Sequence, residues 1–553
     1  MPFRSSSLLA LALLLGGASG GLAQTAPTPA PAPAPKLILA IAVDQYSADL
    51  FAEYRNRYAF GLKRLQQGAL FPSGYQSHAA TETCPGHATI LTGVHPARAG
   101  IVANTWFDLG VARDKKAIYC AEDEARTTPD GKGYVASAAH LLVPTLGDRL
   151  KAADPQARNV AVSGKDRGAL MMGGHAIDQV YWWQGTGFAT LAGRNLGPSA
   201  QSANAAVAAD LAKDRAAMDL PADCVRADRS IQAGALTVGT GRFERAKGDA
   251  NRFRTSPELD AATADLAEKL VAELDLGKGQ ATDVLSVSFS ATDYVGHATG
   301  TEGTEMCLQM HALDKTIGGL LDFLDARGID YAVVLTADHG GFDLPERLVL
   351  QGLPQAARVD PALMPEALGK GIAAKLKIAG VEPLLSGDGP FGDFYLNRAL
   401  KPKQRKAVLG ELKALVAHPQ VAAVFTAEEL AKAPAPAGSP ETWTLMDRAR
   451  ASFHAGRSGD AVILLDRAIV PIPKPAPGYT ATHGSPWDYD RRVPMLFWRK
   501  GMAGFEQPNP VETVDIAPTL AALVGLIVPE GEFDGRCLDL DAGPGNTCVA
   551  DVR

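Results

Sequence analysis

Along this chain, continuous apolar runs repeatedly end on a charged or polar residue. Lys36 to Val43 reads Lys-Leu-Ile-Leu-Ala-Ile-Ala-Val and meets Asp44. Asn159 to Ser163 ends at Gly164-Lys165, Asp283 to Ser290 leads to Asp293, and Tyr331 to Thr336 leads to Asp338-His339. A run without polar alternation predicts a strand covered on both faces, as in a parallel sheet. Ala461 to Leu465 and Pro494 to Trp498 are further strands of this kind. Helices fall between them. Met306, Met310, Leu313, Ile317, Leu320 and Leu324 keep helical spacing, with Gly328 as a stop. Val514 to Val524 is a second helix, with Asp515 as N-cap and Pro518 in its first turn. The alternation predicts an α/β fold, a central mostly parallel sheet flanked by helices. Ligands of such sheets gather beyond the carboxyl ends of the strands.

Segments near 105–140, 168–260 and 341–480 break the alternation. They are rich in Gly, Pro and Ala, with aromatic clusters such as Tyr181-Trp182-Trp183, and read as insertions forming a rim over the site. The N-terminal Ser-Ser-Ser, the apolar run Leu8 to Leu15 and the small residues up to Ala23 read as a secretory signal peptide over 1–23. That run is too short to span a bilayer, and no later segment reaches ~18 uninterrupted apolar residues, so no stable membrane anchor is expected. Residues 24–35 are an Ala/Pro linker, and one domain is expected over 36–553. Periplasmic or secreted localisation follows. The formal charge of −7 argues against a nucleic-acid scaffold. Six cysteines in an exported chain predict disulfides. Cys537 with Cys548 is the first pairing; Cys84 with Cys120 and Cys224 with Cys307 complete the set. A monomer is expected.

The chemistry lies at the strand ends. Asp44, Asp293, His297, Asp338, His339 and His483 are carboxylate and imidazole donors of the kind zinc accepts. Asp293 and His297 are four apart, one face of a helical turn, and Gly296 permits a bent alternative. His483 sits in Thr-His-Gly-Ser-Pro, a turn-rich ligand loop. Singly, each residue reads as a cap or turn; together they read as a metal centre. Thr83 opens Thr-Cys-Pro-Gly-His. Pro85 suits a first helical turn, which puts Thr83 near an N-cap. There, free N–H groups and about half a positive charge favour a phosphate. The plainer role for Thr83 is capping alone. His87, one turn on, can hold that helix start.

These residues resemble the alkaline phosphatase superfamily, most closely its exported bacterial alkaline phosphatases with a Thr nucleophile. The resemblance is carried by the strand ending in Asp44, Thr83 with Pro85 and His87, Gly100-Ile-Val-Ala-Asn104 and Lys165-Asp-Arg167. Asp293 to His297, Ala337-Asp-His-Gly340, His483-Gly-Ser-Pro and Tyr489-Asp-Arg-Arg-Val-Pro494 complete it. It spans about 36 to 525. It implies phosphate monoester hydrolysis through a phosphothreonine at Thr83 and two zinc ions. Asp293, His297 and His483 would hold one ion; Asp44, Asp338, His339 and Thr83 would hold the other. It also implies Asn104, Lys165 and Arg167 on the non-bridging phosphoryl oxygens. The sequence itself assigns no calcium or magnesium site. The sulfatase branch needs Cys-x-Pro-x-Arg, which Cys84-Pro85 does not supply. The phosphodiesterases and nucleotide pyrophosphatases share Thr83, Asn104 and the six ligands. Lys165 and Arg167, cations suited to a dianion, favour the monoesterase. A non-catalytic binding protein is disfavoured because no ligand or nucleophile is missing.

Overall fold

A ten-stranded sheet carries the site. The structure is a computed structural model that describes residues 33–127 and 133–548. The expected signal peptide, and the linker up to residue 32, lie outside the described residues. From one edge the strand order is Phe505–Glu506, Ala69–Tyr75, Arg492–Arg499, Tyr331–Thr336, Leu37–Val43, Asp283–Phe289, Asn159–Ser163, Gln179–Gln184 and Gly187–Ala189. Val511–Glu512 also pairs with Ala69–Tyr75. Five of these strands, from Tyr331–Thr336 to Gln179–Gln184, pair in parallel.

Register is what builds the site. Val43 lies opposite Phe289, Ala42 opposite Thr336, and Ser288 opposite Ser163. Four strands therefore end side by side on one edge. The residues that follow them, Asp44, Asp293, Asp338-His339 and Lys165, emerge together at the carboxyl end of the sheet. Every residue of Leu37–Val43, Asp283–Phe289 and Tyr331–Thr336 is buried, as unbroken apolar runs require. Helix Thr304–Ala326 covers one face with Met306, Met310, Leu313, Ile317, Leu320 and Leu324, all buried. Gly328, at φ +62°, lies just beyond its end. The C-terminal helix runs over Ile516–Leu523, with Asp515 at its N-cap and Pro518 in its first turn.

Four local expectations change. Pro494 to Trp498 lies in Arg492–Arg499, antiparallel to both neighbours; burial on two faces does not specify strand direction. Ala461 to Leu465 is not in the central sheet. It lies in a separate four-stranded sheet ordered Leu385–Ser386, Gly392–Leu396, Ala461–Leu465, Val421–Thr426, with its own core of Phe394, Leu412 and Ile463. Tyr181-Trp182-Trp183 belongs to the central sheet, in Gln179–Gln184, where Trp183 stacks on Phe253 with centroids 5.1 Å apart. Ala69–Tyr75 is a strand the hydrophobic pattern does not reveal, because Pro72 and Gly74 interrupt it; the register slips opposite Pro494.

All three expected cysteine pairs are disulfides: Cys84–Cys120, Cys224–Cys307 and Cys537–Cys548. Among the described residues no helix is long and apolar enough to cross a membrane.

Candidate active site

The six predicted ligands converge. Asp44, Asp338 and His339 place one ligand atom each within 4.8 Å of one another, and Asp293, His339 and His483 do the same. His297 joins the second group, its Nε2 3.3 Å from Asp293 Oδ1, because Asp293 and His297 lie one turn apart on helix Ala291–Thr299. The helical alternative to a bend at Gly296 is thus the one adopted. The imidazoles of His339 and His483 stack at 3.5 Å, so His339 stands between the two groups.

The donor set fits metal. His297 Nδ1 donates to Ala481 O (2.9 Å), His483 Nδ1 to Thr81 O (2.8 Å) and His339 Nδ1 to Gly340 O (2.8 Å). A carbonyl only accepts, so each ring carries its proton on Nδ1 and turns the Nε2 lone pair inward. Burial lowers the His339 pKa to about 3, keeping that ring neutral. Asp44 Oδ1, Asp293 Oδ1 and His339 Nε2 are buried without a hydrogen-bond partner. Lone pairs that converge without satisfying one another need a cation. Lys165 supplies part of it, with Nζ 2.6 Å from Asp44 and 2.5 Å from Asp293. Burial still pushes Asp44 well above the usual carboxylate range, with repulsion from Asp293 and Asp338 adding to it. Asp293 lies well below the usual carboxylate range despite its burial, with the Lys165 ammonium helping to hold it there.

Thr83 is the first residue of helix Thr83–Thr92, fully buried, and Glu82 occupies the N-cap position. This narrows the expectation that amide hydrogens there are free. The Cys84 amide donates to Asn104 Oδ1 (2.8 Å), and Pro85 has none to give. The helix end keeps its dipole but offers few donors. The same hydrogen bond anchors Asn104, whose own amide donates to Glu82 Oε2 (2.7 Å); its carboxamide is left to act through Nδ2. His87 holds the helix start. Its Nδ1 lies 2.9 Å from Thr83 O and 3.0 Å from Asp338 Oδ2, and its Nε2 reaches Ser288 Oγ at 2.8 Å. Gly86 lets the helix approach: a Cβ there would stand 1.9 Å from Asp338 O.

Lys165 and Arg167 do not share one extended segment. Lys165 is the N-cap of helix Asp166–Gly173 and Arg167 lies in its first turn. They reach the site from different directions, Lys165 toward the carboxylates and Arg167 with Nη2 3.4 Å from Thr83 Oγ1. Sequence reasoning left Asp166 between them without a role. Its carboxylate accepts from Tyr119 OH (2.7 Å) and Tyr134 OH (2.6 Å), and Arg167 Nη1 lies 3.4 Å from Tyr119 OH. Tyr294, adjacent to Asp293, was also missed; Lys165 Nζ sits 5.1 Å from its ring centroid. Both residues fall inside the motifs that carry the resemblance, which was the available signal.

The chain is similar to known proteins over most of its length. The family model "Type I phosphodiesterase / nucleotide pyrophosphatase" matches residues 38–486. The chain is 55% identical over 518 residues to alkaline phosphatase PhoK of Sphingomonas sp., covering 93% of this chain and 92% of that one. It is 49% identical over 523 residues to alkaline phosphatase PhoD of Zymomonas mobilis subsp. mobilis, covering 93% and 89%. The solved structure of wild type alkaline phosphatase PafA shares the fold, with a TM-score of 0.78 at 24% identity, covering 92% of this chain and 99% of that one.

Proposed function

The chain belongs to the type I phosphodiesterase / nucleotide pyrophosphatase family, and we propose that within it this protein is an exported alkaline phosphatase. It hydrolyses phosphate monoesters, with Thr83 as nucleophile and two zinc ions as cofactors. The observation that carries the reading is the position of the Arg167 guanidinium against the Thr83 hydroxyl, beside the ligand set. The two relatives at 55% and 49% identity are both named alkaline phosphatases. Export is supported by three disulfides and by the predicted signal peptide.

Zinc, when bound, would lower the pKa of a coordinated hydroxyl and polarise the phosphoryl and leaving oxygens. Asp293, His297 and His483 would hold one ion, and Asp44, Asp338 and His339, with Thr83, the other. The chain's own groups do the rest. His87 and the Gly86 contact fix Thr83 against the ligand strand. Thr83 Oγ1 bonds to phosphorus as the bond from phosphorus to the alcohol oxygen breaks, and water then cleaves the phosphothreonine. Arg167 and the Nδ2 of Asn104 hold the non-bridging oxygens, a planar fork and a neutral donor on a dianion. Lys165 offsets the charge of Asp44 and Asp293, so discrimination for a dianion falls mainly on Arg167.

The test is the Thr83→Ala and Thr83→Ser pair, assayed on p-nitrophenyl phosphate and bis-p-nitrophenyl phosphate. Thr83→Ala should lose nearly all turnover and form no phosphoryl-enzyme, while Thr83→Ser retains much of both. Parent-level turnover in Thr83→Ala would reduce Thr83 to a helix residue. A parent that prefers the diester would assign the protein to the diesterase branch of the family.

A further inference from the structure

Beyond the groups that hold the transferred phosphoryl, we infer that Arg254 and Tyr294 form a subsite for a second anionic group, phosphate or carboxylate, on the alcohol portion of the substrate. This deepens the monoesterase reading and rests on it. Arg254 ends the short helix Ala250–Arg254, and its Cζ lies 4.8 Å from the Tyr294 ring centroid. Lys165 Nζ lies 5.1 Å from the same centroid. The two cations rest against one ring, no more than about 10 Å apart, so Arg254 stands next to the cation that neutralises Asp44 and Asp293.

Arg254 is built differently from the arginine that serves structure beside it. Arg245 is buried and gives both Nε and Nη2 to Glu258, at 2.9 and 3.0 Å. Arg254 is half-buried, and its Nε is buried without a hydrogen-bond partner. Among the described residues it has no ion pair and no side-chain hydrogen bond; its one recorded partner is the face of Tyr294. A guanidinium held in place by an aromatic ring yet left without a carboxylate keeps its planar fork available for a bidentate anion. Leaving it unpaired costs stability, which a ligand contact offsets.

Tyr294 ties this cation to the reacting centre, because it directly follows the ligand Asp293 on helix Ala291–Thr299. Its hydroxyl has no hydrogen bond among the described residues. The phenols of Tyr119 and Tyr134, by contrast, are committed to Asp166. The open donors beside the site are thus Arg254 and Tyr294, and both suit an anion. Substrates carrying a second charge, such as sugar bisphosphates and phosphorylated hydroxy acids, should gain over the same skeleton with one phosphate.

The experiment measures kcat/KM on the zinc-loaded protein for two matched pairs: glucose 1,6-bisphosphate with glucose 6-phosphate, and 3-phosphoglycerate with glycerol 3-phosphate. The pairs separate a second phosphate from a carboxylate. Arg254→Ala should lower the ratio within at least one pair by about ten- to a hundredfold, the size of one charge-assisted contact. Arg254→Lys should recover part of it, and Arg254→Gln, which keeps the packing, guards against misfolding of the alanine variant. Equal losses on both members of each pair, or ratios that do not move, would overturn the subsite. A parent inactive on p-nitrophenyl phosphate would instead remove the monoesterase reading beneath it.

Discussion

Removing the Arg167 guanidinium should narrow the preference for monoesters over diesters. Arg167 Nη2 lies 3.4 Å from Thr83 Oγ1, and its orientation is set by Tyr119 at 3.4 Å, itself hydrogen-bonded to Asp166. A charge-assisted hydrogen bond contributes about 1.5–3 kcal/mol. Arg167→Ala should therefore lower kcat/KM for p-nitrophenyl phosphate by about ten- to 150-fold. A diester carries one negative charge where a monoester dianion carries nearly two, so its loss should be smaller, and the ratio of the two kcat/KM values should fall by about tenfold or more. Tyr119→Phe removes the hydroxyl that orients Arg167 and bonds to Asp166, and because the guanidinium itself remains it should shift the ratio the same way by a smaller factor. Steady-state release of p-nitrophenolate from both substrates, in the parent and both variants, measures this. An equal fall on the two substrates in Arg167→Ala would refute the assignment of specificity to this side chain.

Chelation should abolish turnover and lower the melting temperature, since a ligand that binds only the native state adds about 2.7 kcal/mol at a hundredfold excess over its Kd; full activity in metal-free protein would remove the metal centre. Stability should also fall in alkali through His95. Burial disfavours its cation, but hydrogen bonds to Asp534 and Glu512 carry its pKa up to about 9. A folded pKa raised above the unfolded value of about 6.5 gives a contribution that is complete below pH 6.5 and lost as pH rises through 9. The unfolding free energy of the parent should thus approach that of His95→Ala by about 3 kcal/mol between pH 6 and pH 10, and a difference independent of pH would contradict it. Replacing both cysteines by serine should cost more at Cys224–Cys307, 83 residues apart, than at Cys537–Cys548, 11 apart. Loop entropy predicts about 4.5 against about 2.8 kcal/mol, measurable by urea denaturation; the reverse order would show that native-state strain or residual denatured structure governs.

The candidate donors Asp44, Asp338 and His339 were legible because they follow apolar runs whose burial is written into their composition. Leu37 to Val43 and Tyr331 to Thr336 contain no polar alternation, so Asp44 and Asp338 had to stand at the ends of buried strands. The spacing of Asp293 and His297 likewise left the helical face as a natural outcome. Cysteine count, read together with the predicted signal peptide, predicted bridges, and the three pairs match. Other features were hidden for physical reasons. Ala69–Tyr75 is broken by Pro72 and Gly74, and its pairing is supplied by Arg492–Arg499 from the far end of the chain. Ala461 to Leu465 is as apolar as a central strand, yet it completes another sheet.

By itself, then, the sequence determined which residues are buried, which ones end the strands, and what donor chemistry gathers there, because burial and periodicity are properties of local segments. Tertiary structure alone decided register, direction and proximity. It placed Val43, Phe289, Thr336 and Ser163 at one edge, and it turned Lys165 to the carboxylates while bringing Arg167 to Thr83. It also consumed the Cys84 amide on Asn104 and left Arg254 facing a tyrosine with no carboxylate. Most of those contacts join residues far apart in the chain. No local pattern encodes them, because they follow from how the packed sheet and its helices share one core.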